Sequence, residues 1–268
     1  MKLREDALQV LEATSRTFFI PISRLPPTLQ EAVSAAYLCM RAIDEIEDHA
    51  TLPNETKAGL LRSIARTYES ATPGTGAGAF CSLFETAAPD LPEVTVRLGE
   101  WGALAPEGIA PRVYDATAAM ATRMAQWADS GWFVRTEADL DRYTYGVAGA
   151  VGLLLSDIWA WFDGTRTDRS RAVGFGRGLQ AVNILRNRAD DLRRGVDFFP
   201  EDWTEARMFE YAGYNLQLAA DYIRDLPSGP VREFCTLPHA LAEATLDALA
   251  NGQPKLSREQ VRQLASRR

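Results

Sequence analysis

The sequence predicts an all-α fold, and three observations carry that prediction. Apolar residues recur at helical spacing along most of the chain. The alternation that marks a half-buried strand is nearly absent. Proline and glycine clusters fall between the helical runs rather than inside strand-like ones. With no internal repeat and no clear linker, residues 1–268 read as a single domain.

The elements follow in order. The N-terminal MKLREDALQVLEATSR is charged and amphipathic and lacks the apolar centre of a signal peptide. Leu25-Pro26-Pro27 is expected to end an extended stretch; a long apolar-rich helix then runs to about Asp48, and Pro53 closes it. Residues 55–71 and 91–104 read as further helices, whereas ATPGTGAGAF (71–80) has the breakers of a loop. Residues 111–130, 137–162, 168–194, 202–225, 229–250 and 256–267 all carry helical spacing.

The bulk numbers narrow the function classes. At 46% hydrophobic and 24% charged over 268 residues, the chain has material for a core and is not disordered. A formal charge of −7 argues against general nucleic-acid binding, which needs basic surface, but leaves room for small anions held by a few arginines. Cys39, Cys81 and Cys235 lie far apart, without disulfide or metal-site spacing, as reduced thiols would. The longest apolar region, 146–155, falls short of the ~20 residues of a membrane span. The expectation is a cytoplasmic protein, monomer or homodimer, with no integral membrane segment and no nucleic-acid partner.

Two polar stripes carry chemistry. In AAYLCMRAIDEIEDH, Asp44 and Asp48 are four apart and share a helix face, with Arg41 and Tyr37 one and two turns before them. Ala36, Leu38, Cys39, Met40, Ile43 and Ile46 surround the stripe, so the helix is expected to be largely buried. Buried carboxylates are costly unless paired or metal-bound, and two oxygen donors at this spacing suit Mg²⁺. A solvated acidic face, with Glu45 and Glu47 continuing it, accounts for the same spacing. In GLQAVNILRNRADDLRRGVDFFP, the residues Gln180, Asn183, Asn187 and Asp191 form a second stripe. Arg186, Arg193 and Arg194 bring the positive charge a diphosphate requires. An ordinary amphipathic helix is the rival account. Together the stripes point to a cavity between helices. Gly146, Gly149 and Gly152, at a spacing of three, weaken a helix and serve either close packing or clearance for a bulky apolar ligand. His49 and His239 have no metal-site partners by spacing and read as structural or surface residues.

At these residues the chain resembles the squalene/phytoene synthase family, the trans-isoprenyl head-to-head synthases. The likeness runs through Ser15-Arg16-Thr17-Phe18, Leu25-Pro26, Arg41 with Asp44 and Asp48, Tyr143 with VAGAVG, then Gln180, Asn183, Ile184, Leu185 and Arg186, and LPHALAEATL at 237–246. It implies an isoprenoid-synthase helical bundle with a central apolar cavity, and two Asp-rich motifs that hold Mg²⁺ and an isoprenyl diphosphate. Carried over by position, Asp44 and Asp48 are first-motif metal ligands, and Asn187 and Asp191 stand at the second motif. Ser15, Arg16, Thr17, Arg41 and Arg186 are diphosphate contacts. Tyr143, Gln180 and Asn183 line the reacting centre, where Phe18, Tyr37 and Tyr143 shield a cation.

The chain departs from the family at two places. Where DxxED is usual, it reads Asn187-Arg188-Ala189-Asp190-Asp191, and Val196 stands where an arginine precedes the aromatic pair and proline. With the second diphosphate's apparatus so weakened, the expectation is one diphosphate ionised per turnover and a neutral acceptor. That acceptor would be a small aromatic, carbazole-like molecule prenylated from a short donor such as dimethylallyl diphosphate, as in a subgroup of the family. Asp190 or released pyrophosphate is then the candidate base. Two alternatives stand beside it: head-to-head condensation of two prenyl diphosphates, and an inactive relative serving as a binding subunit.

Overall fold

The computed structural model describes residues 2–73, 75, 78–85, 91–253, 256 and 258–266. Among them every regular element is helical. The chain divides into two compact units, Met1–Gly131 with Trp161–Asp163, and Trp132–Ala160 with Gly164–Arg268.

The first unit is assembled on one long helix. Its elements are α1 (Lys2–Thr14), α2 (Arg16–Ser23), α3 (Pro27–Asp48), α4 (Asn54–Glu69), α5 (Gly78–Glu85), α6 (Glu93–Val96), α7 (Leu98–Ala103) and α8 (Ala110–Ser130). Pro27 opens α3 at a position where its missing N–H costs nothing. Leu29, Leu38, Ile43 and Ile46 are fully buried, and α1, α2, α4, α6, α7 and α8 all pack on α3. Polar bonds fix the depth of that packing. Thr95 Oγ1 donates to Ala42 O at 3.1 Å, and Trp101 Nε1 donates to Val94 O at 2.9 Å. Gly131, in the left-handed region at φ 72°, ends α8.

The second unit comprises α9 (Glu137–Thr144), a π-helical turn (Tyr145–Gly149), α10 (Ala150–Asp163), α11 (Arg169–Arg193), α12 (Glu205–Asp225), α13 (Pro230–Ala250) and α14 (Arg258–Ser266). Here α11 is central, packed by the π turn, α12 and α13. For Gly152 the open choice resolves in favour of close packing. A Cβ on Gly152 would collide with Ala172 O, one on Gly176 with Ala148 O, and one on Gly178 would lie 3.0 Å from Leu216 N. The helices meet backbone to backbone. His239 is structural: its Nε2 bonds Leu216 O at 3.0 Å and ties α13 to α12.

Several expectations change. Residues 16–23 are helix, not an extended stretch, because Ser15 caps α2 by accepting from Phe18 N at 3.2 Å and α1 and α3 pack against it. The helix expected at 91–104 is two pieces joined at Arg97, whose backbone leaves helical geometry at ψ 14°. The loop expected at 71–80 gives way to helix at Gly78. The short apolar run at 146–155 lies within a continuous helical segment, Glu137–Asp163, of 27 residues. By length and composition alone it meets the requirement for crossing a membrane. The absence of any such segment was the premise for a cytoplasmic location, so that expectation is not supported. Of the cysteines, Cys39 and Cys235 are buried free thiols, and the side chain of Cys81 lies outside the described residues.

Two glycine substitutions test the packing. Gly176→Ala forces α11 off the π turn and should cost about 1–3 kcal/mol in urea unfolding. Gly59→Ala, within α4 with nothing near its Cβ position, should stabilise by about 0.5–1 kcal/mol.

Candidate active site

In the first unit the sequence-predicted residues gather on one face of α3. Tyr37, Arg41 and Asp44 are half-buried along it, and Asp48 is exposed at its end. The N-terminus of α2 meets this stripe. Besides capping α2, the Ser15 hydroxyl bonds the Tyr37 hydroxyl, and the Phe18 ring lies 5.4 Å from the Tyr37 ring at 42°. Thr17 is exposed, and the side chain of Arg16 lies outside the described residues. At the far end Lys57, itself buried, donates from Nζ to Glu47 O at 2.5 Å and so caps the last turn of α3.

The electrostatics of the stripe are unbalanced. Burial pushes the Asp44 carboxyl up to about 7; Arg41 opposes the shift, and Asp48 and Glu45 add to it. Burial also works against the Arg41 charge, but Asp44 and Glu45 outweigh it and raise its pKa. Arg41 spends its ion pair on Glu45, one turn along, rather than on Asp44. Its Nε is buried and has no hydrogen-bond partner among the described residues. Burial raises the Tyr37 phenol as well, against the bond from Ser15.

In the second unit α11 carries the other stripe. Gln180, Asn183 and Asn187 are half-buried. Arg186 is exposed and donates from Nε to Asn187 Oδ1 at 3.2 Å. Asp190, exposed, is paired with Arg193 on the solvent side, whereas Asp191 is buried and accepts from Arg194 Nη2 at 2.6 Å. Tyr143, at the end of α9, is buried and stacks on Phe198, with ring centroids 4.4 Å apart at 18°. Beside it, Tyr211 donates to Asp141 Oδ1 at 2.7 Å and bonds Thr144 Oγ1 at 3.1 Å, which anchors the start of the π turn.

Among the described residues no group of three or more His, Cys, Asp or Glu is assembled as a ready metal cage. The donor set on α3 nonetheless fits magnesium, which is commonly held by one or two carboxylates together with waters and substrate phosphates. Asp44 and Asp48 are such a pair, and the half-buried Asp44 resists carrying its charge without a cation. The α11 set is weaker, because Arg186 and Arg194 already engage Asn187 and Asp191.

Sequence reasoning missed Arg188, Asp197 and Phe198, which hold the segment against Tyr143, and Lys57 at the end of α3. Arg188 and Asp197 are nine apart across a helix end, a separation no helical periodicity reveals. Lys57 had a weak signal as the lone lysine of α4.

The sequence profile described as squalene/phytoene synthase matches residues 11–213, and the chain belongs to that family of prenyltransferase-type enzymes. It is 29% identical over 281 residues to the squalene synthase of Dictyostelium discoideum, covering 92% of this chain and 64% of that protein. It is 29% identical over 278 residues to that of Schizosaccharomyces pombe, covering 90% and 58%. The human squalene synthase is 28% identical over 279 residues, covering 91% and 63%. The chain thus spans less than two thirds of the length of these relatives. The fold matches TcSQS bound to the ligand BPH1237 with a TM-score of 0.79 at 22% identity, covering 99% of this chain and 86% of that one. It matches a dehydrosqualene synthase in complex with a ligand with a TM-score of 0.70 at 18% identity, covering 99% and 95%. The all-α isoprenoid-synthase fold expected from the resemblance is therefore correct.

These comparisons overturn the aromatic-acceptor reading. Relatives similar over about nine tenths of the chain are named squalene synthase, against two departures at single positions. The structure supplies a physical reason. Arg194 places a guanidinium at this end of α11, paired with Asp191, although Val196 carries none.

The raised Asp44 carboxyl makes a stability prediction. Its native pKa of about 7 lies above the ordinary carboxylate value, so native protein binds more protons than unfolded protein in between. Its contribution is full below the ordinary carboxylate value and is lost as pH rises through 7. Without divalent metal, Asp44→Asn should therefore melt higher than the parent at pH 8, by on the order of 2 kcal/mol, with little difference at pH 4. Thermal melts from pH 4 to 8 in a chelator measure it.

Proposed function

We propose that the chain joins two allylic prenyl diphosphates head to head into a squalene- or phytoene-like hydrocarbon, with Mg²⁺ as cofactor and both compact units acting as one catalytic domain. The family match at 11–213 runs through both units, and the names of the relatives support this reaction class. One observation carries the reading. On a single face of α3, a buried guanidinium N–H of Arg41 calls for an acceptor while the half-buried carboxyl of Asp44 calls for a cation. A magnesium diphosphate satisfies both at once.

Each residue then has a task. Asp44 and Asp48 offer carboxylate oxygens to the metal. Arg41 Nε donates to a phosphate oxygen, and Ser15, Arg16 and Thr17 meet the same diphosphate from the first turn of α2, where backbone N–H groups favour an anion. Bound Mg²⁺ supplies charge neutralisation that helps pyrophosphate depart. Phe18 and Tyr37 present ring faces to the allylic cation that this departure leaves. The alkene of the second prenyl diphosphate attacks that cation, a carbon–carbon bond forms and a proton leaves, giving a cyclopropyl diphosphate. Gln180, Asn183 and Tyr143 line this second centre. Asn187 and Asp191, with Arg186 and Arg194, take the remaining diphosphate, which departs in turn. Proton loss, or hydride from an external reductant, then sets the saturation of the hydrocarbon. Asp190, paired outward with Arg193, has no part.

Incubation with Mg²⁺ and farnesyl or geranylgeranyl diphosphate should yield a C30 or C40 hydrocarbon. Asp44→Ala and Asp48→Ala should each lower turnover by roughly 100-fold or more. Folded protein that makes no hydrocarbon from either donor, or Asp variants with parental turnover, would contradict the proposal.

A further inference from the structure

Tyr143 is buried at 3% exposure, and Phe198 stacks on its ring 4.4 Å away and nearly parallel at 18°. Phe198 lies in the segment after α11, outside any helix, so helical hydrogen bonds do not hold it. One α11 side chain reaches the segment, which the bonds from Val196 N to Asp191 O and from Glu201 N to Arg135 O also tether. Arg188 donates to both oxygens of Asp197, from Nη2 at 2.9 Å and from Nε at 3.3 Å. The same guanidinium lies 3.6 Å from the centre of the Phe199 ring. Asp197 Oδ1 also accepts from Phe199 N at 3.0 Å, which closes a local turn around Phe198. Arg188 thus grips the residue before Phe198 and the residue after it.

This construction is more specific than stability requires. Both partners are about one third exposed, and an ion pair in that setting adds little to folding free energy. The planar fork and the stacked face are features arginine has and lysine lacks, and they restrict where the aromatic pair can sit. Rings that flank a cation act through distance and angle, so a slack ring costs rate rather than fold.

We propose that Arg188 and Asp197 are positioning residues for the prenyl-coupling reaction, which fix Phe198 as a rigid wall that sets the angle of the Tyr143 ring. The inference rests on the proposed function, in which Tyr143 lines the reacting centre. Neither residue touches the substrate; both act through Phe198 on Tyr143.

The test is a double-mutant cycle on the full chain, with Mg²⁺ and farnesyl diphosphate as the probe. Turnover, KM and melting temperature are measured for Arg188→Lys, Asp197→Asn, Tyr143→Leu and the two doubles with Tyr143→Leu. Asp197→Asn keeps an acceptor for Phe199 N and guards against a variant that fails to fold. The proposal expects each clamp variant to lose roughly 10- to 100-fold in kcat, with KM and melting temperature little changed. In the Tyr143→Leu background the same changes should cost less than about twofold. Full multiplication of the two effects would overturn the inference, as would parental kcat in the clamp variants while Tyr143→Leu is impaired; in either case the proposed function stands. Parental kcat in Tyr143→Leu itself would remove the role of Tyr143 from the proposed function, and this inference with it.

Discussion

The structure turns on a carboxylate placed where water is scarce. Asp44 sits on the polar face of a helix whose other faces are packed by α1, α4, α6, α7 and α8, and burial holds its carboxyl near neutrality. A globular chain gains nothing in stability from this arrangement. Arg41 does not relieve it directly, because its ion pair goes to Glu45 and its Nε is left buried and unpaired. The helix therefore stores an electrostatic demand that a metal-bound diphosphate, as proposed, would meet from both sides. The surrounding details serve to hold the demand in place: the Ser15 cap and its bond to Tyr37, the Phe18–Tyr37 contact, and Lys57 on the last turn of α3.

The second unit meets a different constraint, close approach of backbones. Gly152 and Gly176 allow the π turn and α10 to lie directly on α11, and Gly174 and Gly178 do the same for α12. The π turn widens the helix just after Tyr143, at a point that the Tyr211–Asp141–Thr144 bonds secure. The Arg188–Asp197 clamp fixes the opposite side of the same ring. Tyr143 thus lies between a secured turn of its own helix and the stacked Phe198.

What could be read from the sequence follows from what periodicity records. The long, mostly apolar α3 with its polar stripe was legible, since residues three and four apart share a face in any helix. So was the place of Asp191 on the α11 stripe, but not that Asp191 is buried while Asp190, one residue away, is exposed. α2 was not, because Phe, Ile and Thr favour other states and only the Ser15 cap and packing by α1 and α3 make it helical. The break at Arg97 depends on side-chain bonds to Glu93, Glu100 and Asp6. The Arg188–Asp197 contact crosses a helix end and leaves no periodic trace. The reading of Asn187 and Val196 as loss of the second diphosphate failed because it set two positions against a likeness to squalene synthases that runs over about nine tenths of the chain.

The proposed function requires the α3 stripe to take its cation and its anion together. Calorimetric titration of inorganic pyrophosphate into the protein, with and without Mg²⁺, tests it directly. Pyrophosphate should bind at least about tenfold tighter with Mg²⁺ present, and Asp44→Ala should abolish the difference. Equal affinity in the two conditions, or a magnesium effect that survives in Asp44→Ala, would contradict it.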